Sequence, residues 1–432
     1  MTQAPDKPVK APAVPHLVTE LPGSKARQVV EFDRQWSSPS VPRAYPVVPA
    51  RAWGCTIEDV DGNLLLDFNA GIAVTSTGHC HPKVVAAIKQ QADEILHYSA
   101  DFYLPEYGQT CAELARIAPM KEKCRVFLGN SGTEAIEGAI KLARRATGRQ
   151  YLVAFLGAFH GRTYGSVSLT ASKAKYHAGF GPMLPGVVHA PFGHVADLKW
   201  FDEVLFDKLV PPEEVAAIVV EPIQGEGGYV VPEDGFIQGL RAICDKHGIV
   251  LIADEVQAGA GRTGKMWSIQ NWGVEPDILC TAKGIASGMP LGAFIARDSL
   301  MQKWGPGHHG TTYGGNPLAC VAALETIKLL EGGLMDNARA RGEQILTGLK
   351  QVKAQHSIVT DVRGIGLMIG VEFDSPEHAT AVELAAFRRG LLTLTAGHSV
   401  VRVSPPLVLT EEEAATGLRL FGEAVAEVAA QG

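Results

Sequence analysis

Two short apolar runs, at 249–253 and, directly after Asp277, at 278–280, constrain this chain more than any other feature. Each is uninterrupted, rich in β-branched residues and Leu, and too short for a helix. Such runs suit strands of a parallel sheet buried on both faces. The first ends in Asp254-Glu255 and the second in Thr281-Ala282-Lys283. An acid and a lysine therefore stand just past the carboxyl ends of two buried strands, the edge at which open α/β sheets bind ligands.

The remaining chain supplies the rest of such a sheet. Strands are expected at 124–128, 151–155, 186–190, 217–221, 250–253, 278–281 and 291–295, most of them separated by helical spacing such as that of 235–247. Alternation of this kind predicts an α/β fold with a mostly parallel, doubly wound sheet, in a large domain at 75–330. A Glu331-Gly332-Gly333 break is followed by a long helix (334–354), strands, a helix at 377–389 and an amphipathic helix from Thr410. This region, 331–432, reads as a smaller α+β domain. Residues 55–68 form two strands around Asp61-Gly62-Asn63, a hairpin signal. They lie outside the large sheet, so the segment 1–74 is expected to join the small domain. Within it, residues 1–20 are rich in Pro, Lys and Ala and expected to be poorly ordered, and 23–50 reads as a proline-punctuated lead-in.

Bulk properties remove several function classes. A net charge of −7 disfavours nucleic-acid and anionic-membrane partners, which need basic patches. No apolar run reaches the ~18 residues of a membrane span, and the N-terminus lacks an apolar signal core. The seven cysteines are scattered and include no CxxC pair, as expected of reduced thiols in a cytoplasmic enzyme. His79 and His81 lack a third ligand, so no metal site is expected.

One motif misleads. Residues 259–265, GAGRTGK, match both GxGxxG and GxxxxGK. A phosphate loop needs Ser or Thr after the lysine, where this chain has Met266; a dinucleotide fingerprint needs its glycines directly off the strand, whereas Asp254 to Gly259 intervene.

The other strand ends gather polar groups. Asn130-Ser131-Gly132-Thr133 opens a helix, whose N-terminus is an anion site, although plain N-capping uses the same residues. Ala158-Phe159-His160-Gly161-Arg162 places an aromatic ring, a histidine and an arginine together. Glu221-Pro222-Ile223-Gln224-Gly225-Glu226 brings two acids, Asp254-Glu255-Val256-Gln257 follows the next strand, and Thr311-Thr312 precedes another helix start. With Thr281-Ala282-Lys283 they make six such clusters at one sheet edge, unlike independent solvated loops.

Taken together, from about Tyr45 onward, these stretches resemble pyridoxal-phosphate enzymes of fold type I, and within them the class III (ω-amino acid) aminotransferases of the 4-aminobutyrate kind. The resemblance implies pyridoxal 5'-phosphate as cofactor. Lys283 would form the Schiff base with its aldehyde and Asp254 would pair with its ring nitrogen. Val256 and Phe159 would cover the two ring faces, with His160 beside them, and Gln257 would reach the ring hydroxyl. Ser131, Gly132 and Thr133 would cradle the phosphate, completed by Thr312 of the partner subunit in a homodimer or higher homo-oligomer with shared active sites. Arg162 would take a substrate carboxylate, and Glu226 with Arg402 would form the pair that lets one pocket accept both an amino donor and 2-oxoglutarate. Ile72 stands where ornithine-type members carry tyrosine and is similar to 4-aminobutyrate-type members. The resemblance thus favours 4-aminobutyrate as donor, giving an aldehyde and L-glutamate, with ornithine, acetylornithine or lysine as alternative donors and amino-acid racemisation on the same fold as a further alternative.

Overall fold

The computed structural model describes residues 13–99 and 101–431. Seven strands form the central sheet: β1 (Cys124–Gly129), β2 (Tyr151–Phe155), β3 (Val187–Ala190), β4 (Val215–Val220), β5 (Val250–Asp254), β6 (Ile278–Thr281) and β7 (Gly292–Arg297). Their order is β1-β7-β6-β5-β4-β2-β3. All neighbours run parallel except β7, which is antiparallel to β1 and to β6. The sheet is therefore mostly parallel, as the uninterrupted apolar runs require.

Every residue of β4 and β5 is buried, because successive side chains serve opposite faces. Ala217, Val219, Val250, Ile252, Ile278 and Cys280 pack with Ile136, Ala139, Ile140 and Ala143 of the helix Gly132–Thr147. Their alternates Ile218, Val220, Leu251, Ala253 and Leu279 share a second cluster with Phe236, Ile237, Leu240 and Cys244 of the helix Phe236–His247. Each fully buried large aliphatic side chain contributes about 1.5–3 kcal/mol of transfer free energy, so two covered faces hold the strand ends rigidly.

Two smaller sheets flank this one. Pro49–Trp53, Thr56–Asp59 and Leu64–Asp67 form an antiparallel meander that is extended by Leu391–Leu392, parallel to the third strand. Chain from both ends of the sequence thus meets in one sheet. Val359–Ile365, Met368–Phe373, Val400–Val403 and Leu394–Ala396 form the other, wholly antiparallel sheet.

Three local expectations need correction. Residues 13–20 are docked: His16 bridges Leu64, and the Val18 and Thr19 N–H groups donate to Asn63 Oδ1 at 2.8 and 2.9 Å. The expected poor order of 1–20 fails there, and residues 1–12 lie outside the described residues. The lead-in at 23–50 contains a helix, Ser24–Trp36, in which only Ala26 is buried. Its start is held by Asp61, whose carboxylate accepts from Lys25 N–H and Ala26 N–H at 2.9 Å each. The Glu331-Gly332-Gly333 break is a kink rather than an end: Pro317–Leu329 continues through Leu330–Leu334 into Met335–Gln355, with Gly333 at φ +127°.

In the glycine-rich segment 259–265, Arg262 is 1% exposed and turned inward. Arg262 Nη1 donates to the Leu367 carbonyl at 3.2 Å and to the Pro405 carbonyl, which ties the central sheet to the neighbouring one. Among the described residues, no helix is long and apolar enough to cross a membrane and no cluster of potential metal ligands occurs.

Candidate active site

The carboxyl ends of β2, β4, β5 and β6 and the start of the helix Gly132–Thr147 enclose one cavity of about 220 Å³. Ser131, Gly132 and Thr133 line it from the helix start, Phe159, His160, Gly161 and Arg162 from the loop after β2, and Glu221, Asp254, Val256, Gln257 and Lys283 from the other strand ends. Ten residues expected at a cofactor or substrate site thus share one space.

Asp254 closes β5 at 4% exposure. Its Oδ2 lies 2.8 Å from His160 Nδ1, and its Oδ1 accepts from the Val256 N–H at 3.0 Å. Burial opposes a charge on His160, but the hydrogen bond and charge of Asp254 outweigh it and hold the imidazole above its ordinary pKa. His160 therefore fixes the carboxylate that faces the cavity. Glu221, which the motifs did not single out as a site residue, accepts from the Phe159 N–H at 2.9 Å and the Gly225 N–H at 3.0 Å. It clamps the aromatic loop to the loop after β4, and burial pushes its pKa up to about 7.

Lys283 follows β6 with φ +49°, in the left-handed region. Such a backbone costs about 1–3 kcal/mol and persists only where surrounding structure enforces it. Burial, seconded by the Arg402 guanidinium, holds its ammonium below the ordinary lysine pKa. A second strained turn lies alongside: Ala70, Gly71, Ile72 and Ala73 all have positive φ. Asp67 Oδ1 steadies that turn by accepting from the Asn69 and Ala70 N–H groups at 2.8 and 2.9 Å. A Cβ built on Gly284 would lie 3.5 Å from the Ala73 carbonyl oxygen, so the two strained turns touch. Ile72 itself is 38% exposed and outside the cavity lining.

At the helix start, Ser131 Oγ accepts from the Glu134 N–H and its carbonyl from the Ala135 N–H. The Gly132 and Thr133 N–H groups are left without an acceptor among the described residues, as first-turn donors are. Thr133 Oγ1 joins Thr163 Oγ1, at 2.8 Å, and Ser166 Oγ. A Cβ on Gly132 would come within 2.8 Å of Val256 Cγ1, so glycine is what lets this loop lie against Val256.

Glu226 and Arg402 come together near Lys283 but outside the cavity lining, with Arg402 Nη1 3.5 Å from Glu226 Oε2. Two further partners of Glu226 escaped the motif reading: Lys173 Nζ at 3.0 Å and Tyr176 OH at 3.2 Å. No sequence spacing marks them, because the loop 172–176 meets Glu226 only through the fold. The exposed Arg162 stacks over Tyr176, 4.0 Å from its ring centroid. Thr312 is exposed and also outside the cavity lining.

The cavity fits pyridoxal phosphate. Free helix N–H groups suit the phosphate, an acid suits the ring nitrogen, and Gln257, whose buried Oε1 has no partner, offers an acceptor to a ring hydroxyl. A doubly wound sheet carrying this set at its carboxyl edge defines a fold type I pyridoxal-phosphate enzyme. Residues 38–425 match the family Aminotransferase class-III, and the chain belongs to that family, whose cofactor is pyridoxal 5'-phosphate. It is 39% identical over 404 residues to the acetylornithine aminotransferase of Methanothermobacter thermautotrophicus, covering 93% of this chain and 100% of that one. It is also 39% identical to the 4-aminobutyrate aminotransferase of Escherichia coli, covering 90% and 96%. Among solved structures, the ornithine aminotransferase of Toxoplasma gondii superposes with a TM-score of 0.88 at 32% identity, covering 94% of this chain and 96% of that one.

Proposed function

We propose that this aminotransferase moves the amino group of an ω-amino acid, 4-aminobutyrate foremost, to 2-oxoglutarate, giving an aldehyde and L-glutamate. Relatives named for different donors are equally identical to the chain, so the donor is read from the pocket. The observation that carries the reading is the loose Glu226–Arg402 pair beside Lys283, at 3.5 Å with Arg402 only 3% exposed. A paired Arg402 is neutralised and leaves room for a donor without a carboxylate near its reacting carbon. A released Arg402 clamps the α-carboxylate of 2-oxoglutarate bidentately. Ile72, at the turn beside Lys283, carries no polar group that could pair with the α-amino group of ornithine or lysine.

Bound pyridoxal phosphate supplies an electron sink for the carbon that loses its proton. Lys283 would hold the aldehyde, and its amine would carry that proton. Asp254, oriented by His160, would keep the ring nitrogen charged. Phe159 and Val256 would hold the ring, Gln257 its hydroxyl, and Ser131, Gly132 and Thr133 the phosphate, while Arg162 would receive the distal substrate carboxylate.

Incubation of the holoenzyme with 2-oxoglutarate and a panel of amines tests this. Glutamate is expected to form fastest with 4-aminobutyrate. Faster formation with ornithine, acetylornithine or lysine would move the donor to that class. A D-amino acid made from its L-form without glutamate would overturn transamination altogether.

The exposed Thr312, with Phe102, Tyr103 and Tyr313 also exposed, supports a homodimer in which Thr312 of the partner subunit completes each phosphate cradle. Sedimentation should give a dimer or larger assembly, and Thr312→Ala should weaken cofactor retention without dissociating it. Active monomers on dilution would refute the shared site.

A further inference from the structure

We propose that Lys173 is a specificity-determining positioning residue: with Tyr176 it holds the Glu226 carboxylate, so that Arg402 can leave that carboxylate for a dicarboxylate acceptor. This rests on the reading of 2-oxoglutarate as acceptor. Glu226 is gripped unequally from two sides. Its Oε1 accepts from Lys173 Nζ at 3.0 Å and from Tyr176 OH at 3.2 Å, while its Oε2 faces Arg402 Nη1 at 3.5 Å. The backbone on which this carboxylate rides is pinned, since the Glu226 carbonyl accepts from the Gly397 N–H at 2.7 Å. The side that can open is therefore the longer contact to Arg402, whose buried Nε has no partner.

Stripping a partly buried carboxylate of its sole cation is strongly unfavourable. Were Arg402 the only partner, Glu226 would hold it back from substrate. Lys173 removes that penalty, because the carboxylate stays paired after Arg402 departs. Two cations on one carboxylate also leave a positive charge over, and Arg162, stacked on the same Tyr176 ring, adds another. The pocket is thus biased toward an acceptor with two negative charges, and Tyr176 touches both the group that meets the distal carboxylate and the group that releases the arginine for the proximal one.

The test measures the two half-reactions of the holoenzyme separately, and titrates glutarate, an unreactive dicarboxylate, by calorimetry. In Lys173→Ala, the KM for 2-oxoglutarate and the Kd for glutarate should both rise about tenfold, while kcat and the donor KM stay within about twofold, the split expected when only acceptor binding is touched. Lys173→Arg should restore both. In a Glu226→Gln background, Lys173→Ala should have no further effect, because the role is exerted through Glu226. Equal shifts for donor and acceptor, or an effect that survives in Glu226→Gln, would overturn the inference. A wild-type holoenzyme that makes no glutamate would overturn the acceptor reading instead, with the glutarate titration still deciding the role of Lys173; failure of the wild type to bind glutarate would overturn both.

Discussion

Lys283→Ala is expected to lower transamination at least about 10⁴-fold, the upper range for a positioned proton-transferring group, and to abolish the yellow colour expected of the cofactor-bound protein. The loss is large because two roles fall on one amine, capture of the aldehyde and transport of the proton. An ordinary lysine is neutral in only about one molecule in 2,500 at pH 7. Burial and Arg402 lower the pKa of Lys283, which enlarges the neutral, nucleophilic fraction. Capture of added cofactor by cofactor-free protein should therefore slow as pH falls, since protonation removes the nucleophile. Lys283→Arg should be equally inactive, because a guanidinium does not deprotonate. A Lys283→Ala enzyme that stays yellow and keeps more than about 1% of its turnover would refute this assignment.

Asp254→Asn is expected to cost about 10³-fold in kcat, as for removal of one preorganised electrostatic contact, with the cofactor still bound. An amide keeps the shape of the side chain and the contact to the Val256 N–H but cannot hold a proton on the ring nitrogen. The same change removes the charge that holds up the pKa of the buried His160. Burial then dominates, so His160 should titrate at lower pH in an NMR experiment. Wild-type kcat in Asp254→Asn, or an unmoved His160 titration, would contradict the arrangement. Comparing circular dichroism of the variant with wild type separates a chemical loss from a folding one.

Much of this was legible in the sequence because a strand covered on both faces cannot hide polar residues. Runs such as 217–221 and 250–253 had to be central strands, and the polar residues at their ends had to lie at the sheet edge. That reasoning places Asp254 and Lys283 at the edge; their roles, and those of Ser131 to Thr133, come with the resemblance to class III aminotransferases. What escaped depended on contacts made at a distance. The helix Ser24–Trp36 buries only Ala26 and takes its cap from Asp61, so neither periodicity nor a local capping residue announced it. Lys173 and Tyr176 reach Glu226 across a gap of about fifty positions in the chain. The positive φ values at Ala70, Ile72, Ala73 and Lys283 belong to residue types that rarely adopt them; only the completed fold enforces them.

The false nucleotide motif has a mechanical meaning. Glu226 hangs from the central sheet, whereas Arg402 belongs to the antiparallel sheet beside it. The pair thus bridges a seam between two sheets, a seam also crossed by the Gly397 N–H bond to the Glu226 carbonyl. Arg262, on the glycine-rich segment, spans this seam and bonds the Pro405 carbonyl a few positions beyond Arg402. It acts as a rivet across that seam, so its loss should loosen the sheet that carries Arg402 against the one that carries Glu226.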